Sequence, residues 1–402
     1  MILPTIGTVV HTLGHALAQR IAGAVRAAMR RERKLRIGID IRPFYEPLTG
    51  VGWYLYHLLH EIARHDDVEI YLFGDARLTD LGPQLHADLP RSAQLCVFDL
   101  RGQPKSRLAR PLTAAAYVMW MALIDCDVFF GANYFLPRLM GAVARRRVIT
   151  IHDLTYKRFP ELLQKETLHG LERQMAREIA LADAIISVSE STRRDLLQFY
   201  EVDPQRVHTI HSGIAAPSDP APLPGLPERY ILFVSTIEPR KNLGVLLDAF
   251  EEIDYEGGLV IAGRIGWKSD EIAKRLEAPR IVHLDYLPPA QLATAYAHAD
   301  VFVFPSLYEG FGFPLLEAMT HGVPVIAARS SSLPEIGGDA ALYFDPSSTR
   351  ELAELLRRVL RDEVLRKDLV ARGREHAAQF RWDVAADRTL RVIREVTDTL
   401  EK

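Results

Sequence analysis

The chain predicts an α/β protein of two doubly wound, Rossmann-like domains facing a central cleft, preceded by an N-terminal amphipathic helix. Three observations carry this expectation. From Leu35 onward short apolar runs alternate with helical patterns, the signature of parallel sheets with crossover helices. The alternation is interrupted by the proline-dense stretch from Ala215 to Pro227, which can continue neither a helix nor a central strand, and then it restarts. A length of 402 residues suits two cores better than one.

The elements follow in order. Within residues 1–34, Ile6, Val9, Val10, Leu13, Leu17, Ile21, Val25 and Met29 recur at helical spacing, and Arg20, Arg26, Arg30, Arg31, Arg33 and Lys34 load the end. An amphipathic basic helix is expected. It lacks a charged leader and a cleavage signature, so a secretory signal is not expected, and Thr8, His11, Thr12 and Gly14 argue against a membrane-spanning helix. Two readings stay open: an interfacial helix on a membrane, or a helix packed on its own domain. Residues 35–216 form the first domain, with strands expected at 35–41, 68–73, 94–98, 127–130, 148–151, 184–188 and 207–210. Residues 217–227 are the linker. The second domain, 228–381, carries expected strands at 230–234, 258–262, 280–284, 300–304 and 323–327, then helices at 348–360 and 364–380. A last helix over 382–402 is long enough to cross back to the first domain.

Composition narrows the function. A formal charge of −3 with dispersed basic residues gives no reason to expect a nucleic-acid partner. Cys96 and Cys126 are the two cysteines, too few for a disulfide framework, which favours a reducing, cytoplasmic setting. The pair Asp125 and Asp127 around Cys126 has the spacing of a metal-binding motif. Asp127 directly precedes a strand, however, so helix-end and strand-start charges explain the pair better, and no metal is expected.

The richest segment is Glu309-Gly310-Phe311-Gly312-Phe313-Pro314-Leu315-Leu316-Glu317, which follows the apolar run 300–304. Gly310 and Gly312 suit a loop that comes close to a ligand, and Pro314 suits the first position of a helix. The start of that helix offers free amides and a positive dipole end to an anion, with a carboxylate on either side. Hydroxyl acceptors around an anion site suit a nucleotide sugar. The glutamates alone are weak evidence, since solvated charges also explain them, and the glycines, the proline and the preceding strand raise the ligand reading above that. A second strand end leads into Glu238-Pro239-Arg240-Lys241-Asn242, where Asn242 suits a helix N-cap and the two cations would neutralise a diphosphate. In the first domain Gly50 and Gly52 precede a helix and would allow close approach to phosphate or sugar. They form neither a dinucleotide fingerprint nor a P-loop. His152-Asp153 closes another strand, where the imidazole could bond a sugar hydroxyl or move a proton, or be a satisfied structural histidine.

Taken together, these residues resemble the retaining glycosyltransferases of family 4, which have the GT-B architecture. The resemblance runs from Leu35 to the C-terminus and rests on the Gly50 loop, His152-Asp153, Ser189-Glu190-Ser191-Thr192, the Glu238 to Asn242 segment, Gly263-Arg264 and the Glu309 to Glu317 signature. It implies a metal-independent, retaining hexosyl transfer from a nucleotide sugar, with no cofactor besides that co-substrate. Glu309 and the backbone of Phe311, Gly312, Phe313, Pro314 and Leu315 would hold the donor sugar and diphosphate, Glu317 the ribose, and Arg240 and Lys241 the diphosphate. Gly50 and Gly52 would approach the donor from the opposite domain, and His152 would contact the sugar. The backbone near Arg264 and Leu287 would meet the base.

The segment Glu238 to Asn242 resembles that of mannosyltransferases that assemble surface polysaccharides such as lipopolysaccharide. The expected donor is therefore GDP-mannose, and the expected acceptor a glycan or lipid-linked saccharide. A membrane-surface helix at 1–34 would place the protein peripherally at the inner face of the cytoplasmic membrane. The competing readings are a UDP-sugar-dependent transferase of the same fold, a sugar-nucleotide epimerase or hydrolase, and a non-catalytic carbohydrate-binding protein.

Overall fold

The computed structural model describes residues 34–44, 48, 50–75, 88–98, 118–134, 136, 138–162 and 165–398. The expected helix at 1–34 lies outside them, apart from Lys34, as does Thr49. Among the described residues, two parallel sheets form. The strands of the first are β1 (Leu35–Asp40), β2 (Val68–Asp75), β3 (Ala93–Phe98), β4 (Val128–Gly131), β5 (Arg147–Ile151), β6 (Ala184–Ser187) and β7 (Val207–Thr209). Their order is β3-β2-β1-β4-β5-β6-β7. The second sheet contains β8 (Tyr230–Val234), β9 (Gly258–Ala262), β10 (Ile281–Leu284), β11 (Val301–Phe304), β12 (Val325–Ala328) and β13 (Leu342–Phe344), in the order β10-β9-β8-β11-β12-β13.

Central strands of such sheets are covered on both faces, and the residues show it: Phe302 and Phe304 point one way, Val301 and Val303 the other, and all are buried. In the first sheet Ile39 stands level with Leu72 on one side and Phe130 on the other. Each sheet reverses its winding direction once, between β1 and β4 in the first and between β8 and β11 in the second. Crevices for ligands open beyond the carboxyl ends of strands at such switch points. The segments after β1, β8 and β11 carry Gly50, Arg240 and Glu309 respectively.

The differences from expectation are local. The strand expected at 323–327 begins at Val325, because Pro324 has no amide to give the ladder. The edge strand β13 has only three residues and no alternation long enough to announce it. The proline-dense stretch is regular neither as helix nor as strand, yet it is fastened: the Ala221 amide bonds Ala290 O at 3.0 Å, and Thr294 Oγ1 donates to Ala221 O at 2.6 Å. The helix Trp382–Asp398 lies against the helix Gly50–Ile62 of the first domain, and Arg394 pairs with Asp67 at 2.7 Å. No helix among the described residues is long and apolar enough to cross a membrane.

Candidate functional site

Between the sheets lies a cavity of 760 Å³, lined from the first domain by Gly50, Trp53, His152 and Asp153 and from the second by Arg240, Lys241, Glu309 and Glu317. At its centre the Glu309 carboxylate is held by two cations. Lys241 Nζ donates to Oε1 at 2.5 Å, and Arg240 Nη1 donates to Oε2 at 3.1 Å. Burial by itself would raise this carboxyl, but Lys241 and Arg240 outweigh it and hold Glu309 at about 2. Glu309 is therefore a fixed negative charge. Lys241 is pushed down by its burial while Glu309 pulls it up. The neighbouring Arg240 charge also pushes Lys241 down, and the short contact with Glu309 is what favours the ionic pair.

Arg240 is anchored from several sides. Its Nε and Nη2 donate to Glu238 Oε1 at 3.1 and 2.8 Å, and its Nη1 also donates to Tyr308 O at 2.6 Å. Its burial opposes the charge, yet Glu309 and Glu238 hold the guanidinium firmly protonated. Lys241 is less committed: an ammonium has three donors, and one of them goes to Glu309. It sits over the Phe304 ring at 5.6 Å. Asn242, expected as an N-cap, adopts a left-handed conformation with φ 54° and makes no capping bond. Its Nδ2 instead ties Pro305 O and Pro346 O, at 3.2 and 2.8 Å, fixing the turn that carries the cations.

The helix Phe313–Thr320 begins at the cavity, with Gly312 before it at φ 113°, a conformation that favours glycine. Pro314 carries no amide, so at the start of the helix Phe313 is the residue whose amide has no carbonyl one turn back. Leu315 departs from expectation: its amide already bonds Gly312 O at 3.1 Å and its side chain is in the core, so it supplies no donor to a ligand. Glu317, one turn on, accepts from Tyr296 Oη at 3.0 Å and has its carboxyl raised by burial, with the Tyr296 bond opposing. Tyr296 in turn stacks on His321 with ring centroids 5.2 Å apart. Leu287, Leu292, Tyr296 and His321 form the apolar end of the cavity. Tyr296 and His321 carry no motif, and only their place in the fold reveals them.

The glycines divide by role. Gly50 lies on the cavity wall, where an added β-carbon would stand 3.9 Å from the Phe313 ring. Gly52 does not line the cavity. A β-carbon there would come within 2.7 Å of Leu48 and 3.1 Å of Pro43 O, so this residue is a packing glycine, and both glycines belong to the helix Gly50–Ile62 rather than to a loop before it. Gly310 lines the cavity and also closely approaches the other domain: a β-carbon would lie 1.7 Å from His152 O. Gly263, at φ 151°, is required by the Ser235 carbonyl, which would lie 1.9 Å from an added β-carbon, and neither it nor Arg264 lines the cavity. Arg264 is exposed at the rim, over the Tyr286 ring at 5.2 Å.

On the first domain's wall, His152 Nε2 donates to Ala132 O at 2.7 Å, which leaves Nδ1 as the acceptor of a neutral ring. Burial lowers this imidazole below its ordinary value, against the Ala132 bond and Asp153. Asp153 caps the following turn, accepting the Thr155 amide at 2.9 Å, and is bonded by the Tyr134 hydroxyl. The two walls are joined beside the cavity. Ser189 Oγ donates to Gly310 O at 2.6 Å, and Tyr308 Oη donates to Asp195 Oδ2 at 2.7 Å. Glu335 accepts the Glu190 and Ser191 amides at 2.7 and 3.0 Å. From behind, Ser331 Oγ accepts the Glu309 amide at 2.8 Å and Ser332 Oγ donates to Glu309 O and Phe311 O at 2.9 and 2.8 Å. These serines were not expected from the sequence. Asp125 pairs with Arg145, and Asp127 Oδ2 accepts the Arg36 amide at 3.0 Å. No group of carboxylates, histidines or cysteines suited to a metal occurs among the described residues.

Known proteins resemble this chain in sequence and in fold. Residues 48–216 match the family model for glycosyltransferase family 4, and residues 220–376 the model for glycosyl transferases group 1. The chain is 32% identical over 381 residues to the O-antigen chain mannosyltransferase B of Escherichia coli, covering 89% of this chain and 98% of that protein. Among solved structures it is similar to the Anabaena protein HepE in complex with UDP and glucose, with a TM-score of 0.64, 18% identity, and coverage of 91% of this chain and 99% of that one. It is also similar to WaaG, a glycosyltransferase involved in lipopolysaccharide biosynthesis, with a TM-score of 0.63, 16% identity, and coverage of 89% and 99%. These two likenesses concern the fold.

Proposed function

The chain belongs to glycosyltransferase family 4 and is a hexosyltransferase, and we propose that it moves mannose from GDP-mannose onto a glycan or lipid-linked saccharide of a surface polysaccharide, with retention and without a metal. The observation that carries the site assignment is the buried cluster of Arg240, Lys241 and Glu309 at the start of the helix Phe313–Thr320. The choice of mannose is supported by the name of the Escherichia coli relative and by the Glu238 to Asn242 segment.

In this reading the diphosphate lies against Lys241, Arg240 and the Phe313 amide at the helix start, which stabilise the charge that grows as it departs. Glu309, ionised at working pH, accepts hydroxyls of the sugar and fixes its pose. His152, neutral through burial, accepts a sugar hydroxyl at Nδ1 and adds no competing positive charge. Glu317 takes the ribose hydroxyls. The bond from the anomeric carbon to the diphosphate oxygen breaks, and its electron pair stays on that oxygen. The acceptor oxygen bonds the same face of the carbon, and the departing phosphate takes the hydroxyl proton. The products are GDP and a mannosylated acceptor. Glu309, pinned by two cations, is not assigned as a nucleophile.

A thermal-shift screen of GDP-mannose, UDP-glucose and UDP-N-acetylglucosamine tests the donor. Stabilisation by GDP-mannose is expected, and stabilisation by a uridine donor alone overturns the choice. Release of free sugar or of an epimer with no acceptor-dependent product would contradict transfer. Membrane contact through residues 1–34 is tested by liposome co-sedimentation of the full chain against a chain lacking them, where equal binding removes that part of the proposal.

A further inference from the structure

Another part of the cavity wall has a different chemistry. The rings of Trp53, His57, Trp382 and Phe313 form a column of nearly parallel planes: Trp53 and His57 are 5.8 Å apart at 25°, His57 and Trp382 5.2 Å at 20°, and Trp382 and Phe313 6.3 Å at 22°. All four line the same cavity as Glu309. Trp53 ends the column and is 36% exposed. Burial and the neighbouring His60 push His57 down to about 4, so at neutral pH its ring is uncharged, with one nitrogen to donate and one to accept. Among the nearby charges Arg64 pairs with Glu61 and Arg381 with Asp383, and Arg374 stands beside them. A second hollow of 550 Å³ shares His57 and Trp382 with the main cavity, so the space continues past the column.

Such a wall offers nothing to a diphosphate. A stacked column that ends in an open indole, next to a neutral imidazole, matches a pyranose ring, which has a face of C–H bonds and a rim of hydroxyls. We propose that Trp53 and His57 bind the acceptor: a neutral saccharide of which one ring extends the column on Trp53, a hydroxyl of the next unit bonds the edge of His57, and further units run into the adjoining hollow. This deepens the transferase reading and rests on it for the placement of the donor beside Arg240 and Lys241.

The test uses the full chain with GDP bound and methyl α-D-mannopyranoside, mannobiose and mannotriose as probes, followed by tryptophan fluorescence and by transfer from GDP-mannose. Trp53→Ala is expected to raise the saccharide KM about tenfold, with the GDP-mannose Kd unchanged, and Trp53→Phe to restore it to within about threefold. A saccharide KM unchanged in Trp53→Ala overturns the proposal, as does an equal loss of donor affinity or a wild-type protein that engages none of the probes. If the wild type binds the saccharides through Trp53 but not GDP-mannose, the donor assignment fails and the saccharide site stands. Because Trp53 is exposed, both variants are expected to fold, which their thermal transitions check.

Discussion

Gly310→Ala isolates the geometry between the two domains. A β-carbon at this position would stand 1.7 Å from His152 O and 3.0 Å from Asp153 Cβ. The obstacle is backbone, and it is held, because His152 O also accepts Thr192 Oγ1 at 3.2 Å while Gly310 O accepts Ser189 Oγ at 2.6 Å. Real side chains need at least 3.0 Å, so the loop and the opposite wall must part by about 1.3 Å (3.0 less 1.7). Gly310 has no positive φ, so alanine brings no backbone strain of its own and each domain's core is untouched. The separation falls next to Glu309 and displaces it relative to His152, and a misplacement of about 1 Å in a reacting site costs on the order of 10²-fold in rate. The expected outcome is a fall in kcat of that size in GDP-mannose-dependent transfer to a manno-oligosaccharide, with a thermal transition close to wild type. A variant that keeps more than half of the wild-type kcat would refute the reasoning, because catalysis would then not need the walls this close.

Three further outcomes follow from the cluster and its neighbours. Glu309→Ala and Lys241→Ala each lose most transfer while remaining folded by circular dichroism, and full activity in either removes the site assignment. Glu309, held at about 2 against an ordinary 4.5, contributes on the order of 3 kcal/mol of stability above pH 4.5 that is lost as pH falls toward 2. The acid arm of a stability profile is accordingly flatter in Glu309→Gln, and an unchanged arm speaks against the ion cluster. Tyr296→Phe removes the bond that opposes the raised Glu317 carboxyl, so Glu317 takes up its proton at a higher pH and GDP-mannose affinity is lost earlier on the acid side. A pH profile of binding identical to wild type contradicts the role given to Glu317.

Much of the fold was legible because parallel strands buried on both faces write themselves as uninterrupted apolar runs, as in Val301–Phe304 and Tyr230–Val234. Arg240, Lys241 and Glu309 were legible because each stands just past such a run, where this topology opens its crevices. Their pairing with one another was not, since no spacing relates two strand ends about seventy residues apart. Gly52 and Gly263 show the limit of reading glycine from letters: one makes room for Leu48 and one for Ser235, and in sequence both look like approaches to a ligand. Tyr296, His321, Ser331 and Ser332 act through tertiary contacts alone. The column of Trp53, His57 and Trp382 is likewise assembled from helices far apart in the chain.

The most direct measurement of the central claim is calorimetric titration of GDP-mannose into wild-type protein and into Lys241→Ala. Lys241 is the cation with donors to spare, so the account predicts binding by the wild type and an affinity at least about tenfold weaker in the variant, a loss of about 1.4 kcal/mol. Equal affinity in the two proteins would contradict it.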